Sequence, residues 1–373
     1  MSIGHHKVKA ENPAKVEYAS VLVTMSLTSV LSLTGLYYGS HRRGICKSIV
    51  VARAVLFCGA ATFFEVYFFH HIFSNVPNLD TLSSCGVILQ ATLSMYFFLC
   101  WQHQGHLRFL ISYIRASQHC AEVRNFIRIS VFVLFIVFML FFAVALYYFC
   151  KPLLFVSDSN ATTTHTEIFL SVLSYSVQLH AMYAWNAILV LFVVSIKTLA
   201  IDLEHFNRDM EKTLSGAISI KEERLKIETT LLNCFEGHCK LADRIRKIDS
   251  IFRLFIFLLL LTGVITTIFS LIALIRKKSW LNFVFAIPKV ICCFLHIYGL
   301  CVIPAQIYTK FRAVHDLLYR NYQIWMEFDP RIYQITNMFT GNISNSNISI
   351  TLWGFTPIRN TLILTVNIFY VQV

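Results

Sequence analysis

The chain has 373 residues, of which 56% are hydrophobic and only 14% charged, and it carries a net charge of +12 at pH 7. So apolar a composition excludes a water-soluble domain and points to a polytopic membrane protein. The positive charge gathers in a few loops, which suits anionic lipid rather than a nucleic-acid surface.

The first element is a basic tail, 1–47, holding a Ser/Thr-rich apolar segment at 18–39 (Ser20, Thr24, Ser26, Thr28, Ser29, Ser32, Thr34). Lys7, Lys9 and Lys15 precede this segment, and Arg42, Arg43 and Lys47 follow it. Basic flanks on both sides favour a cytosolic tail whose apolar segment is re-entrant or interfacial. Glu11, Pro13 and Glu17 stand where a cleavable signal peptide would need a basic stretch joined to a short apolar core, so none is expected.

Apolar stretches near 48–73, 81–101, 130–150, 168–196, 251–275 and 281–307 are each long enough to cross a hydrocarbon layer, which takes about 20 residues. They define transmembrane helices 1–6 within 48–307, a candidate ligand-sensing bundle. Their ionisable residues are Glu65, His180, Lys289 and His296. Such groups in lipid face a cavity or a partner, and a Glu65–Lys289 pair across helices is one solution. On helix 4, Ser171, Tyr175, Gln178 and Met182 share a face. That face suits a small-ligand pocket or helix–helix hydrogen bonding. Cys85 and Cys150, at expected outer ends of successive spans, are candidates for a disulfide.

Segment 197–250 holds ten bases and ten acids, and Glu204/Arg208, Glu222/Lys226 and Asp243/Lys247 are spaced for i, i+4 pairing on exposed helix. Helices 4 and 5 are therefore expected to run into the cytosol by at least about one and a half to two turns each. Residues 308–355 form a second long inner segment. Counted by loop, 24 Lys and Arg fall on the expected inner side and four (Lys151, Arg276, Lys277, Lys278) on the outer. This bias sets an inside N-terminus and an outside C-terminus. Asn160-Ala-Thr162, a glycosylation acceptor, falls on the outer side. The acceptors at Asn342 and Asn347 fall inside.

Motifs for chemistry are missing. No pair of histidines has the helical i, i+4 spacing with a third ligand that a zinc site needs, and Cys234 and Cys239 around His238 have the wrong spacing for a zinc knuckle. There is no nucleophile cluster and no phosphate-binding or dinucleotide motif. The expectation is a non-enzyme with no metal and no cofactor.

The last element is a short apolar helix, 356–373. Thr361, Thr365, Ile368 and Gln372 lie on one of its faces, a stripe facing water or sister helices. Thr365 and Gln372 stand at the spacing of the Thr-Tyr and Gln-Phe ends of the motif that closes arthropod gustatory receptors and their odorant-receptor relatives. Val366 and Val373 replace the Tyr and the Phe. Trp353-Gly354-Phe355 is similar to the aromatic-Gly-Phe element that precedes that helix in the family. The chain thus resembles a gustatory receptor. The resemblance implies an all-α, seven-helix fold of inverted orientation, with 308–355 joining the extended helices 4 and 5 in a cytosolic anchor. It also implies a plasma-membrane, ligand-gated, non-selective cation channel of chemosensory neurons, opened by small tastants. Such a channel is a homotetramer, or a heterotetramer with related subunits, embedded in membrane lipids, and the last helix lines its pore. A metabotropic, G-protein-coupled receptor and a membrane transporter are the alternatives. Against them stand the orientation, the missing Asn-Pro-x-x-Tyr signature and the lack of two matching halves.

Overall fold

The computed structural model describes residues 27–32, 45–74, 79–117, 120–155, 165–218, 224–276, 280–321, 329–346 and 348–359. In these residues the chain folds into eight helices: α1 (Ile45–Ser74), α2 (Leu79–His103), α3 (His106–Ala116), α4 (Cys120–Phe155), α5 (His165–Ile218), α6 (Arg224–Ile275), α7 (Trp280–Arg320) and α8 (Pro330–Asn345). A two-stranded antiparallel hairpin follows, pairing β1 (Thr351–Leu352) with β2 (Thr356–Pro357). Residues 27–32 form a further helical piece. Five described stretches, Leu82–His103, Ala121–Leu140, Leu179–Leu214, Ile227–Ile275 and Ala286–Arg320, are long and apolar enough to cross a membrane.

All six expected spans lie inside long helices. The helices overrun them, because charged residues on one face and apolar residues on the other sustain a helix as well in water as in lipid. At about 1.5 Å per residue, α5 continues roughly 33 Å past residue 196 and α6 begins roughly 40 Å before residue 251. Both extensions go well beyond the minimum of about one and a half to two turns. Pairing along them follows the sequence in part. Glu204 bonds Arg208, and Glu236 pairs with Lys240 at 2.6 Å. Asp243, however, takes Arg246 at 2.8 Å rather than Lys247. The Lys247 ammonium instead sits 3.9 Å from the ring centre of Phe109 on α3, a contact that no spacing rule within one helix anticipates.

The central helix is α5. It touches α1, α2, α3, α4, α6 and α7, and from Ala184 to Leu203 nearly every side chain is buried. The main core joins Leu27 and Leu31 of the 27–32 piece to α2, α5, α6 and α7, and the Tyr183 hydroxyl donates to the Val30 carbonyl at 3.2 Å. Segment 18–39 therefore contributes a buried helical piece to the bundle; its remaining residues lie outside those described. The opposite pattern marks α1 and α4. Val55, Leu56, Phe63 and Val66 on α1, and Ile129, Phe132, Phe135, Met139 and Phe142 on α4, are large, apolar and exposed. An apolar face this long is tolerated on a helix that meets lipid.

At the end where α5 and α6 join, a second core forms from Met210, Leu214, Leu231, Val314, Leu318, Ile332, Phe339 and Ile343. Amphipathic α8 supplies three of these residues. Asp329 caps α8, its carboxylate accepting from the Arg331 amide at 2.9 Å, and Pro330 opens the first turn, where a missing amide hydrogen costs nothing. Amphipathic α3 is likewise docked: the Tyr113 and Ser117 hydroxyls donate to Asp202 at 2.8 and 3.0 Å.

Residues 356–359 correct one expected boundary. Thr356 and Pro357 pair with Leu352 and Thr351 instead of opening the last helix. A tight turn causes this. Trp353 and Gly354 take φ of 54° and 83°, the left-handed region that helices exclude and that glycine adopts freely.

Candidate functional site

Two regions bear on function: a polar seam in the half of the bundle away from the second core, and the junction ahead of the last apolar stretch.

The seam runs between α2 and α6. Ser83 and Ser270 share a hydrogen bond at 2.5 Å, Gln90 donates to Thr266 at 3.3 Å, and the Ser94 hydroxyl returns to the Gln90 carbonyl at 2.8 Å. In a low-dielectric interior such short side chains hold helices together because they have no water to turn to. Gly86 makes the close approach possible, since a Cβ there would lie 2.2 Å from the Thr266 hydroxyl oxygen. Towards the α5–α6 turn the same interface becomes aromatic, with Trp101 packed on Phe252 and Phe255 at 4.9 and 5.0 Å. Polar and aromatic halves of one helix pair therefore divide the bundle.

Around the polar half stand the ionisable residues. Lys289 donates to Ser84 at 3.1 Å and makes no ion pair with Glu65, so the pairing considered from sequence is not formed. Glu65 faces inward at 6% exposure, and neither carboxyl oxygen has a hydrogen-bond partner. His180 stacks on Phe57 at 4.2 Å. His296 stacks on Trp185 at 3.8 Å. The His296 Nδ1 lies 2.6 Å from the Cys292 carbonyl; a carbonyl can only accept, so Nδ1 carries the hydrogen and Nε2 is left as an acceptor. Beside it the Trp185 indole N–H is a donor, and both atoms are buried without a partner. This leaves α5 with one unmet donor and α7 with one unmet acceptor inside the bundle.

The residues expected from sequence divide as follows. Met182 is buried in the main core; Ser171, Tyr175 and Gln178 belong to α5, but their side chains lie outside those described, as does that of Cys150 on α4. Thr361, Thr365, Ile368, Gln372 and Asn160 also lie outside the described residues. Cys85 is a free, buried thiol, so the candidate disulfide with Cys150 is not formed in this structure. The reason is topological: α2 packs on α1, α5 and α6 whereas α4 packs on α5 and α7, leaving α5 between the two cysteine-bearing helices. Among the described residues no group of three His, Cys, Asp or Glu side chains is placed to hold a metal. His238, the histidine between Cys234 and Cys239, is instead an aromatic-core residue.

The junction is the part that sequence reasoning missed. Its hairpin is bolted to α6, with Asp249 accepting from the Thr351 amide at 2.6 Å and from its hydroxyl at 3.0 Å. The Trp353 amide donates to the Arg253 carbonyl at 3.3 Å, and the Trp353 ring meets Phe257 at 4.7 Å. Ile350 and Ile358, joined by a backbone bond at 2.9 Å, are fully buried in the main core. Residue 360, where the last apolar stretch continues, thus follows directly on a rigid clamp held by α6. The turn residues at 353–355 were a visible signal; the partner, 102 positions away in Asp249, was not.

The described residues thus form a helical membrane bundle whose short hairpin is fastened to α6. No protein-family model matches the chain, and no curated protein does. The insect olfactory receptor OR5 from Machilis hrabei matches over 95% of this chain and 97% of that one, with a TM-score of 0.75 at 12% identity. The same receptor in complex with eugenol matches over the same shares with a TM-score of 0.76 at 13% identity. The chain therefore has the fold of an insect chemoreceptor.

Proposed function

We propose that this chain is a subunit of a chemoreceptor of gustatory type, a ligand-gated non-selective cation channel opened by a small tastant. The observation that carries the reading is the likeness of fold over nearly the full length of both chains to a receptor solved with eugenol bound. The C-terminal Thr365 and Gln372 spacing favours the gustatory branch. In this reading the subunits form a homotetramer or heterotetramer in the plasma membrane, and Thr361, Thr365, Ile368 and Gln372 line the pore. The ligand enters the half of the bundle holding the polar seam, where Ser171, Tyr175, Gln178 and Met182 are pocket candidates. The unmet donor and acceptor of Trp185 and His296 lie on the same two helices that such a ligand would separate. A ligand that satisfies them favours the separated state by its differential affinity. The displacement reaches the last helix through α6 and the Asp249–Thr351 clamp.

Expression in cells lacking coupled G proteins, with a panel of hydroxyl-bearing tastants, tests the reading. Ligand-evoked cation currents are expected. Currents that need added G protein, or saturable uptake without channel events, reject it. Cysteine substitution along 360–373 tests the pore: a charged thiol reagent should modify the Thr361, Thr365, Ile368, Gln372 stripe ahead of Leu362, Val366 and Phe369.

A further inference from the structure

Tyr308, Arg312 and Arg359 form a cluster that ligand sensing does not use. The guanidinium carbons of Arg359 and Arg312 lie 4.4 and 5.0 Å from the centre of the Tyr308 ring. Among the described residues neither guanidinium has a carboxylate within salt-bridge distance, and the Arg359 Nε is buried without a hydrogen-bond partner. The contrast with nearby bases is informative. Lys310 and Arg208 share the Glu204 carboxylate. Asp249, the acid at the hairpin, is taken up by Thr351. Two cations therefore share one aromatic ring with no anion between them.

The level of this cluster is set by three separate elements. Tyr308 and Arg312 follow directly on the apolar stretch 281–307, Arg359 precedes the apolar end of the chain, and the hairpin docks on α6 at Asp249 to Phe257, where the stretch 251–275 begins. All three put it at the edge of the hydrocarbon layer, on the side where basic residues collect. Beside it the hairpin tip holds Phe355 at 83% exposure and Trp353 at 49%. Exposed aromatic rings at that depth are what the headgroup region of a bilayer accepts.

We propose that Arg312 and Arg359 bind the phosphate of an anionic phospholipid headgroup, with Tyr308 as the shelf between them and Phe355 and Trp353 entering the acyl boundary. Guanidinium forks match phosphate oxygens two at a time, which a point-charge ammonium does not, and clusters of this kind on the cytosolic face are where phosphoinositides and phosphatidylserine dock.

The test uses the purified full chain, with native mass spectrometry in micelles against dioctanoyl phosphatidylinositol bisphosphate, inositol trisphosphate and dioctanoyl phosphatidylcholine. The inositol lipid should bind and phosphatidylcholine should not. Arg312→Gln and Arg359→Gln should each weaken binding about fivefold and together about 25-fold, while the Arg→Lys pair should keep part of the affinity. Phe355→Ser, at an exposed surface position, should weaken binding of the acyl-bearing dioctanoyl bisphosphate lipid in micelles, yet leave inositol trisphosphate binding unchanged. Wild-type affinity in a double Arg→Gln variant that elutes as the native species overturns the site. Equal affinity for inositol trisphosphate and the lipid, with no effect of Phe355→Ser, overturns the lipid assignment in favour of a soluble phosphate.

Discussion

His238 shows how one side chain ties four helices together. Its ring stacks on Phe311 of α7 at 4.2 Å and meets Phe339 of α8 at 5.2 Å and Phe206 of α5 at 6.1 Å, all while belonging to α6. It lies well before the apolar stretch of α6, and burial pulls its pKa down to about 4 against the opposing pull of the Phe311 backbone. A depressed histidine is neutral in the fold and charges in the unfolded chain first. Its contribution is therefore intact above the unfolded value near 6.5 and is lost as pH falls from there towards 4. The loss should reach ~3 kcal/mol. Thermal unfolding of the solubilised protein should show Tm falling across that window, and His238→Phe should flatten the fall. An unchanged profile in the variant would assign the acid sensitivity elsewhere. A second residue-scale prediction concerns Gly86. Gly86→Ala forces a Cβ against the Thr266 side chain, whose branched χ1 has little room to turn. It should cost ~1–3 kcal/mol, read as a lower Tm. Thr266→Ala in the same chain should restore most of the loss, and additive losses would show that the two positions do not meet.

Among the elements, the β1–β2 hairpin is the smallest and the best placed to matter. Its two short strands could not stand alone; the carboxylate of Asp249 and the buried Ile350 and Ile358 hold them. Asp249→Ala leaves the Thr351 amide without its acceptor, a loss of ~1–3 kcal/mol. In the channel reading this uncouples α6 from the last helix, so the expected outcome is a dose–response curve moved to higher ligand concentration with surface expression retained. A curve that stays in place would mean the coupling runs by another route. At the far end of the same path, Ile368→Ser should raise resting leak, because a polar side chain makes an apolar constriction easier to wet, and Gln372→Lys should lower cation current. Both are measured as whole-cell currents normalised to surface protein.

The whole molecule is organised by α5, which is buried against most of its neighbours while α1 and α4 keep apolar faces outward. Orientation is a property of this scale, and glycosylation reads it out. Asn160 should carry a glycan. Asn342 should not, and its geometry agrees: it lies in α8, half-buried, with its amide 3.6 Å from the Cys239 sulfur. Gel mobility of Asn160→Gln and Asn342→Gln decides the matter, and a shift with Asn342→Gln would reverse the orientation.

The sequence by itself determined the membrane class, the positions of six long helices and the amphipathic continuation of helices 4 and 5. Those features follow from hydropathy and helical period, which act over 20 or fewer neighbouring residues. It also singled out Trp353-Gly354-Phe355, as a family-like element; that these residues form a left-handed turn came from the structure. Only the tertiary structure decided that α5 separates α2 from α4 and denies Cys85 its partner. The same is true of the choice by Lys289 of Ser84 over Glu65, and of the grip of Asp249 on Thr351. Each of these is a contact between residues far apart in the chain, selected by which helix faces meet once the bundle has packed. Periodicity names the face a residue occupies; it carries no information about which neighbour that face will find.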